Sequence, residues 1–81
     1  MTEIKYKNQL IPGTYILWDN IGTHRETPFG PFTVCVIHDK LKYDNFLIKF
    51  PDNDVPQNLP FNTISNRSKI IDIENYPEYF I

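Results

Sequence analysis

The residues that could carry chemistry in this sequence are few and mostly far apart. His24, Arg25 and Glu26 form the densest group. The Arg25 guanidinium could bind a carboxylate or phosphate through two hydrogen bonds, and a histidine such as His24 titrates near neutral pH. The alternative interpretation is a solvated loop in which Arg25 and Glu26 pair weakly with each other. His24 and Arg25 are therefore candidate contacts of a recognition site.

A catalytic set is not evident in the sequence. Cys35 lies among valines and isoleucine, which is typical of a buried small apolar side chain rather than of a nucleophile. His38 and Asp39 are adjacent, and adjacent residues of a strand point to opposite faces. Asp52-Asn53-Asp54 resembles the start of a calcium loop, but the required later glycine and glutamate are absent. We expect no enzymatic activity, no metal site and no cofactor.

Aromatic residues are the other candidates for contact, because large aromatic side chains are enriched at binding hot spots. Tyr43 lies on a polar connection and is predicted to be exposed, whereas Trp18 ends a strand and is predicted to lie in the core. Phe29, within a rigid Pro-Phe-Gly-Pro segment, either plugs one end of the fold or anchors a partner, and plugging is favoured. The predicted partner contacts are His24, Arg25, Phe29, Tyr43, Tyr76 and Tyr79.

The elements that must position these residues are predicted to be strands. The sequence has no alanine, eleven isoleucines and seven prolines, a composition that disfavours helices and favours β-structure. Period-two alternation and turn residues predict core strands at residues 3–7, 14–18, 32–38, 46–50, 61–65 and 69–74. Long connections are predicted at 19–31 and 51–62 and a tight turn at 66–68. We expect residues 75–81 to pack back as an edge strand or short turn.

The alternation also predicts which side chains face the core. Ile4 and Tyr6 of the first strand are predicted to point inward. In the strand at 32–38, Phe32, Val34 and Val36 share one face and Cys35 and Ile37 share the other, and both faces are predicted to be buried. In the strand at 46–50, the predicted inward residues are Phe46, Ile48 and Phe50.

The order of these elements resembles an SH3-like barrel, the family that includes SH3 and Tudor-type modules. The resemblance covers about residues 13–74 and rests on element order: strand, long loop, strand, short hairpin, strand, loop, short strand pair. The acidic-aromatic signature and tandem tryptophans of SH3 domains are absent. We therefore expect one all-β domain, a five- to six-stranded SH3-like barrel or a strongly bent antiparallel sheet.

Charge and composition bound the partner class and the source. Eight basic and ten acidic residues give a net charge of −2, which disfavours dedicated nucleic-acid binding. No run of about 18 apolar residues predicts a membrane span, no signal peptide is evident at the start, and one cysteine allows no internal disulfide. We expect a cytoplasmic protein without a membrane partner. Residues with AT-rich codons outnumber those with GC-rich codons 37 to 12, which indicates an AT-rich genome such as those of many bacteriophages.

These observations favour a non-catalytic module that acts through protein–protein contact. A special case is a phage or mobile-element protein that inhibits or redirects a host enzyme or defence system in the host cytoplasm. The contact surface would combine the loop at 19–31, the Tyr43 hairpin and the carboxy-terminal aromatic segment. One alternative is a nucleic-acid-binding SH3/Tudor-like or OB-like face, with Tyr43 or Phe29 stacking on bases. Its phosphate contacts would be the lysines Lys5, Lys7, Lys40, Lys42 and Lys49.

A second alternative is capture of a small molecule such as a nucleotide. A chain of 81 residues rarely encloses a pocket of the usual ligand size alone, so this alternative requires a pocket shared between protomers.

Overall fold

The structure, a computed structural model, describes residues 3–20 and 31–80. The elements in chain order are a 3-10 helix (Lys7–Gln9), β1 (Tyr15–Asp19), β2 (Phe32–Lys40), β3 (Asn45–Lys49), β4 (Gln57–Pro60), α1 (Phe61–Arg67), β5 (Ser68–Ile71) and a second 3-10 helix (Pro77–Phe80). The predicted β character is confirmed. No helix of the described residues is long and apolar enough to cross a membrane.

The five strands form one antiparallel sheet in the order β4-β3-β2-β1-β5. Within the described part of the chain β4 and β5 do not pair with each other, so the sheet is open and the predicted barrel closure is not confirmed. α1 runs between these two edge strands and rises only about 10 Å over its length. The edges of a flat sheet with five strands would be about 19 Å apart. The sheet must therefore bend towards α1.

One face of the sheet carries the hydrophobic core. The buried side chains on this face, together with those of α1 and the amino-terminal segment, are Ile4, Leu10, Ile16, Trp18, Cys35, Ile37, Phe46, Ile48, Phe50 and Ile64. Trp18 is 6% exposed and meets the Phe50 ring edge-on, with ring centroids 5.5 Å apart. The predicted core position of Trp18 and the predicted inward residues Phe46, Ile48 and Phe50 are confirmed. In β2 the face with Cys35 and Ile37 is buried, whereas Val34 and Val36 on the other face are only half-buried.

The opposite face, here called the outer face, is covered at one side by the carboxy-terminal segment. The Phe80 ring packs edge-on against Tyr15 with centroids 5.0 Å apart. The Lys69 ammonium lies 4.9 Å from the centroid of the Tyr76 ring. This packing confirms that the segment folds back on the domain, as a turn followed by a 3-10 helix.

The predicted strand at residues 3–7 is wrong. The chain turns into the first 3-10 helix because the Gln9 side-chain oxygen accepts the backbone N–H groups of Lys5 and Tyr6, both at 2.7 Å. Ile4 is buried as predicted, but Tyr6 is 67% exposed rather than inward. A local side-chain bond here competes with the extended conformation that the alternation predicted.

The predicted strand at 61–65 and the predicted turn at 66–68 are also wrong. Residues Phe61–Arg67 form α1, in which Ile64 is buried and Phe61, three residues earlier, is half-buried on the same side. The connection predicted at 51–62 contains β4. The last predicted strand, 69–74, is shorter and ends at Ile71.

Candidate binding surface at the hairpin end

One end of the sheet is built around the turn between β2 and β3. β2 ends and β3 begins at this turn, and because neighbouring strands are antiparallel, β1 begins and β5 ends at the same end of the sheet. β4 also ends there, since Pro60 pairs with Asn45. We call this region the hairpin end; it comprises residues 6–15, 38–45, 60–62 and 71–75.

The β2–β3 turn holds two consecutive residues in left-handed backbone. φ is 58° at Tyr43 and 59° at Asp44. This pattern is that of a type I′ turn, in which asparagine and glycine are preferred. Left-handed backbone costs a residue with a Cβ atom about 1–2 kcal/mol. Tyr43 is nevertheless 91% exposed, so its ring gains little from burial.

Contacts from three parts of the chain fix this turn. The Asn45 side-chain amide donates to two carbonyl oxygens of the turn, at 3.1 and 3.2 Å. The Lys7 ammonium lies 2.5 Å from the Asp44 carboxylate. The N–H of Phe61, the first residue of α1, donates to the Asp44 carbonyl at 2.9 Å. The Tyr43 ring is thus presented by a backbone that is already held in place.

A cleft of about 230 Å³ lies beside Tyr43. Its lining residues are Lys7, Tyr43, Asp44, Pro60, Phe61 and Asn62. Small-molecule sites usually enclose about 300–1,000 Å³. The cleft is therefore of a size for one side chain of a partner rather than for a nucleotide.

Exposed apolar side chains concentrate at the hairpin end. Five of the six large apolar residues that are exposed in the described chain belong to it: Tyr6, Ile11, Tyr15, Tyr43 and Ile73. The sixth, Val55, lies on the β3–β4 connection at the opposite end of the sheet. This concentration of exposed apolar side chains makes the hairpin end the candidate contact surface.

The charges at the hairpin end are nearly balanced. Three lysines and four carboxylates lie there: Lys7, Lys40, Lys42, Asp39, Asp44, Asp72 and Glu74. The five lysines considered for phosphate binding do not form one row. Lys7 pairs with Asp44, and Lys49 points to the outer face, where its ammonium donates to the Phe50 carbonyl at 2.6 Å.

The structure places the predicted contact residues in different regions. Tyr43 is exposed at the hairpin end, as predicted, whereas Tyr76 and Tyr79 are half-buried in the carboxy-terminal segment, with ring centroids 6.4 Å apart. Asn20 and Pro31 both belong to the connection predicted at 19–31 and share a 2.8 Å backbone hydrogen bond at the far end of β2. The length of β2, at about 3.3 Å per residue, separates this bond from the β2–β3 turn by about 26 Å.

Three predicted contacts, His24, Arg25 and Phe29, lie outside the described residues. Four exposed apolar side chains of the hairpin end were not predicted from the sequence: Tyr6, Ile11, Tyr15 and Ile73, of which Tyr6 and Ile11 are 67% and 58% exposed. Tyr6 was predicted to point inward because it alternates with Lys5 and Lys7, as in a half-buried strand. Ile11 stands next to the Pro12-Gly13 turn, and an apolar residue beside a turn signal could have been predicted as exposed.

Within residues 3–20 and 31–80, no group of three or more His, Cys, Asp or Glu side chains could hold a metal ion. Cys35 is 2% exposed, and its thiol donates to the Thr33 carbonyl at 3.7 Å. Comparison with protein-family models, with curated proteins and with solved structures finds no match to the chain.

Proposed function

We propose that this chain is a non-catalytic protein-binding module, with the hairpin end as its contact surface and Tyr43 as its anchor. The observation that carries the proposal is the combination of left-handed backbone at Tyr43 with 91% exposure of its side chain. Strained backbone persists where the surrounding structure enforces it, and it clusters at functional sites. The Tyr43 backbone is held in such a conformation while its ring is exposed, which supports a role for the ring in contacting another molecule.

The rigidity of the turn supports an anchoring role. Binding is weakened by the entropy lost when mobile side chains and loops become ordered. The Asn45 amide, the Lys7–Asp44 ion pair and the Phe61 N–H hold the turn before any partner arrives. Tyrosine also combines a large apolar ring with a hydroxyl that can form a hydrogen bond, which is why it is enriched at hot spots.

The charges and the cleft favour a protein over the two alternatives. A nucleic-acid ligand would need a basic surface, whereas the three lysines at the hairpin end are matched by four carboxylates. At the hairpin end, a nucleotide would need a larger pocket than the cleft of about 230 Å³ beside Tyr43. A protein partner would contact the exposed Tyr6, Ile11 and Tyr43 and place one side chain in the cleft.

The fold and setting of the module are part of the same proposal. An SH3-like barrel is supported by the strand order, in which β1 pairs with both β2 and the last strand while α1 returns between the edges. The excess of residue types with AT-rich codons supports a phage or mobile-element origin. In that setting the module would act in the host cytoplasm by covering a site on a host enzyme or defence protein.

The test uses the full chain, tagged and expressed in its source cell, with three variants. Tyr43→Ala and Ile11→Ala remove apolar side chains from the hairpin end. Val55→Ala is the matched control, because Val55 is 69% exposed but lies at the opposite end of the sheet. We expect a stoichiometric protein partner with wild type and Val55→Ala, and at least about a tenfold loss of affinity for that partner with Tyr43→Ala.

Equal affinity of wild type and Tyr43→Ala would contradict the role of Tyr43. Recovery of no stoichiometric protein would contradict the module as a whole. Purified chain is also titrated with labelled single-stranded and duplex oligonucleotides at low salt, and micromolar binding there would favour the nucleic-acid alternative instead.

A further inference from the structure

The edge strand β4 ends with a proline, Pro60, and a second proline, Pro56, comes directly before it. β4 comprises Gln57–Pro60. It pairs with β3 on one side only, within the described residues. An edge strand exposes backbone N–H and C=O groups that can pair with a strand of another molecule. The direction of each backbone group of β4 therefore decides whether this edge can accept one.

The register of β3 and β4 gives these directions. The N–H of Phe61 donates to the Asp44 carbonyl at 2.9 Å, which continues the pairing of Pro60 with Asn45. Hydrogen-bonded and non-hydrogen-bonded pairs alternate along an antiparallel ladder. Leu59 therefore directs its backbone groups to β3, while Asn58 and Pro60 direct theirs to the free edge.

Pro56 has the same outward direction, because it precedes Asn58 by two residues. Proline has no backbone N–H. Of the three outward positions 56, 58 and 60, only Asn58 thus retains a donor. A second strand that paired with this edge would meet one backbone N–H donor, whereas a strand without proline would provide three.

The other edge strand, β5, has a neighbour of its own. The Ser65 hydroxyl donates to the Ile4 carbonyl at 3.1 Å. Residues 3–5 and the β5 residues Ser68 and Lys69 line a common cleft of about 320 Å³. The amino-terminal segment therefore lies near β5, at the edge of the sheet opposite β4.

We infer that Pro56 and Pro60 close the β4 edge against antiparallel pairing with β4 of a second copy of this chain. The two missing donors remove most of the backbone hydrogen bonds that such a pair would form. The inference does not depend on the function proposed for the hairpin end.

The test restores the two donors in the full chain with Pro56→Thr/Pro60→Thr. Threonine suits strands, and at position 60 it is also a favourable residue before the first turn of α1, so the fold is kept. The matched control is Pro12→Thr/Pro51→Thr, which changes two exposed prolines in turns away from β4. Sedimentation equilibrium over micromolar to submillimolar concentrations measures self-association, and circular dichroism checks the fold.

We expect wild type and control to remain monomeric and the restored variant to associate at least about tenfold more strongly. Adding Asn58→Pro to the restored variant removes the central donor and should weaken its association. A monomeric restored variant with the wild-type spectrum overturns the inference, as does association that is equally strong with and without Asn58→Pro. If Pro60→Thr disturbs α1, the single variant Pro56→Thr is used, because position 56 lies outside the helix. It should associate more strongly than wild type, and an unchanged monomer would overturn the inference.

Discussion

The Lys7 ammonium and the Asp44 carboxylate form an ion pair with 2.5 Å between Nζ and Oδ2. This pair joins the amino-terminal 3-10 helix to the turn that carries Tyr43, across 37 residues of sequence. Both side chains are about half exposed, at 49% and 52%. The pair therefore positions the turn more than it stabilises the fold, because exposed ion pairs contribute little free energy.

Lys7→Ala should lower the free energy of unfolding by only about 0.2–1 kcal/mol at low salt, and by less in 1 M salt, where screening is strong. Urea denaturation at the two salt concentrations measures this difference. Lys5→Ala is the control, because Lys5 is a neighbouring exposed lysine without this pair. A salt-independent loss, or an equal loss in Lys5→Ala, would show that the ion pair is not the cause.

Tyr43→Gly should stabilise the protein. Glycine adopts positive φ without strain, which relieves the cost of left-handed backbone, and part of that gain is lost to the greater freedom of glycine in the unfolded chain. We expect a net gain of about 0.5–1 kcal/mol and a Tm higher by several degrees. Differential scanning calorimetry provides the measurement.

The matched control for this prediction is Tyr6→Gly. Tyr6 is also an exposed tyrosine, but its φ is −131°, an ordinary extended value. Glycine there should destabilise the chain by about 0.5–1 kcal/mol. If Tyr43→Gly lowers the Tm as Tyr6→Gly does, the turn stores no strain at Tyr43.

Ile64→Ala should be strongly destabilising. Ile64 is the buried residue of α1 and is 0% exposed in the core that joins the helix to the sheet. Truncation of a fully buried isoleucine costs about 2–5 kcal/mol, a large part of the stability of a small domain. Denaturant unfolding followed by Trp18 fluorescence measures the loss, and Asn62→Ala, at an exposed position of α1, should change it little. Equal effects of the two variants would contradict the packing of α1.

Phe80→Ala should loosen the carboxy-terminal segment from the outer face. The edge-on contact with Tyr15 is removed, and the apolar surface of the Tyr15 ring, now 41% exposed, becomes more accessible. Because Phe80 is only half-buried, we expect a loss of about 1–3 kcal/mol, less than for a core phenylalanine. Binding of an apolar fluorescent dye should increase. Glu78→Ala in the same 3-10 helix is the control and should change neither quantity.

The strands whose side chains alternate could be predicted from the sequence. In β2 and β3, every second residue is buried in the same core. Because burial selects apolar side chains at these positions, the alternation in the sequence predicts the strands. Trp18 and Tyr43 could be assigned to core and surface because one ends an apolar strand and the other lies among polar residues. These predictions depend on local sequence, and the structure confirms them.

The elements near β4 could not be predicted from local sequence. Proline weakens a strand prediction, yet Pro60 is tolerated because its missing N–H would face the free edge. α1 contains threonine, serine and asparagine, which are weak helix formers, and it depends on burial of Ile64 for its stability. The left-handed turn at Tyr43 also lacks the asparagine-glycine signal by which such turns are recognised.

The position of β1 between β2 and β5 has a consequence for how the chain reaches its native state. Trp18 pairs with Thr33 on one side and with Ser68, fifty residues later in the chain, on the other. The second pairing requires closure of a long loop before its contacts can form, which slows folding. We therefore expect refolding in milliseconds to seconds rather than microseconds, and the single tryptophan at this junction would report it in stopped-flow fluorescence.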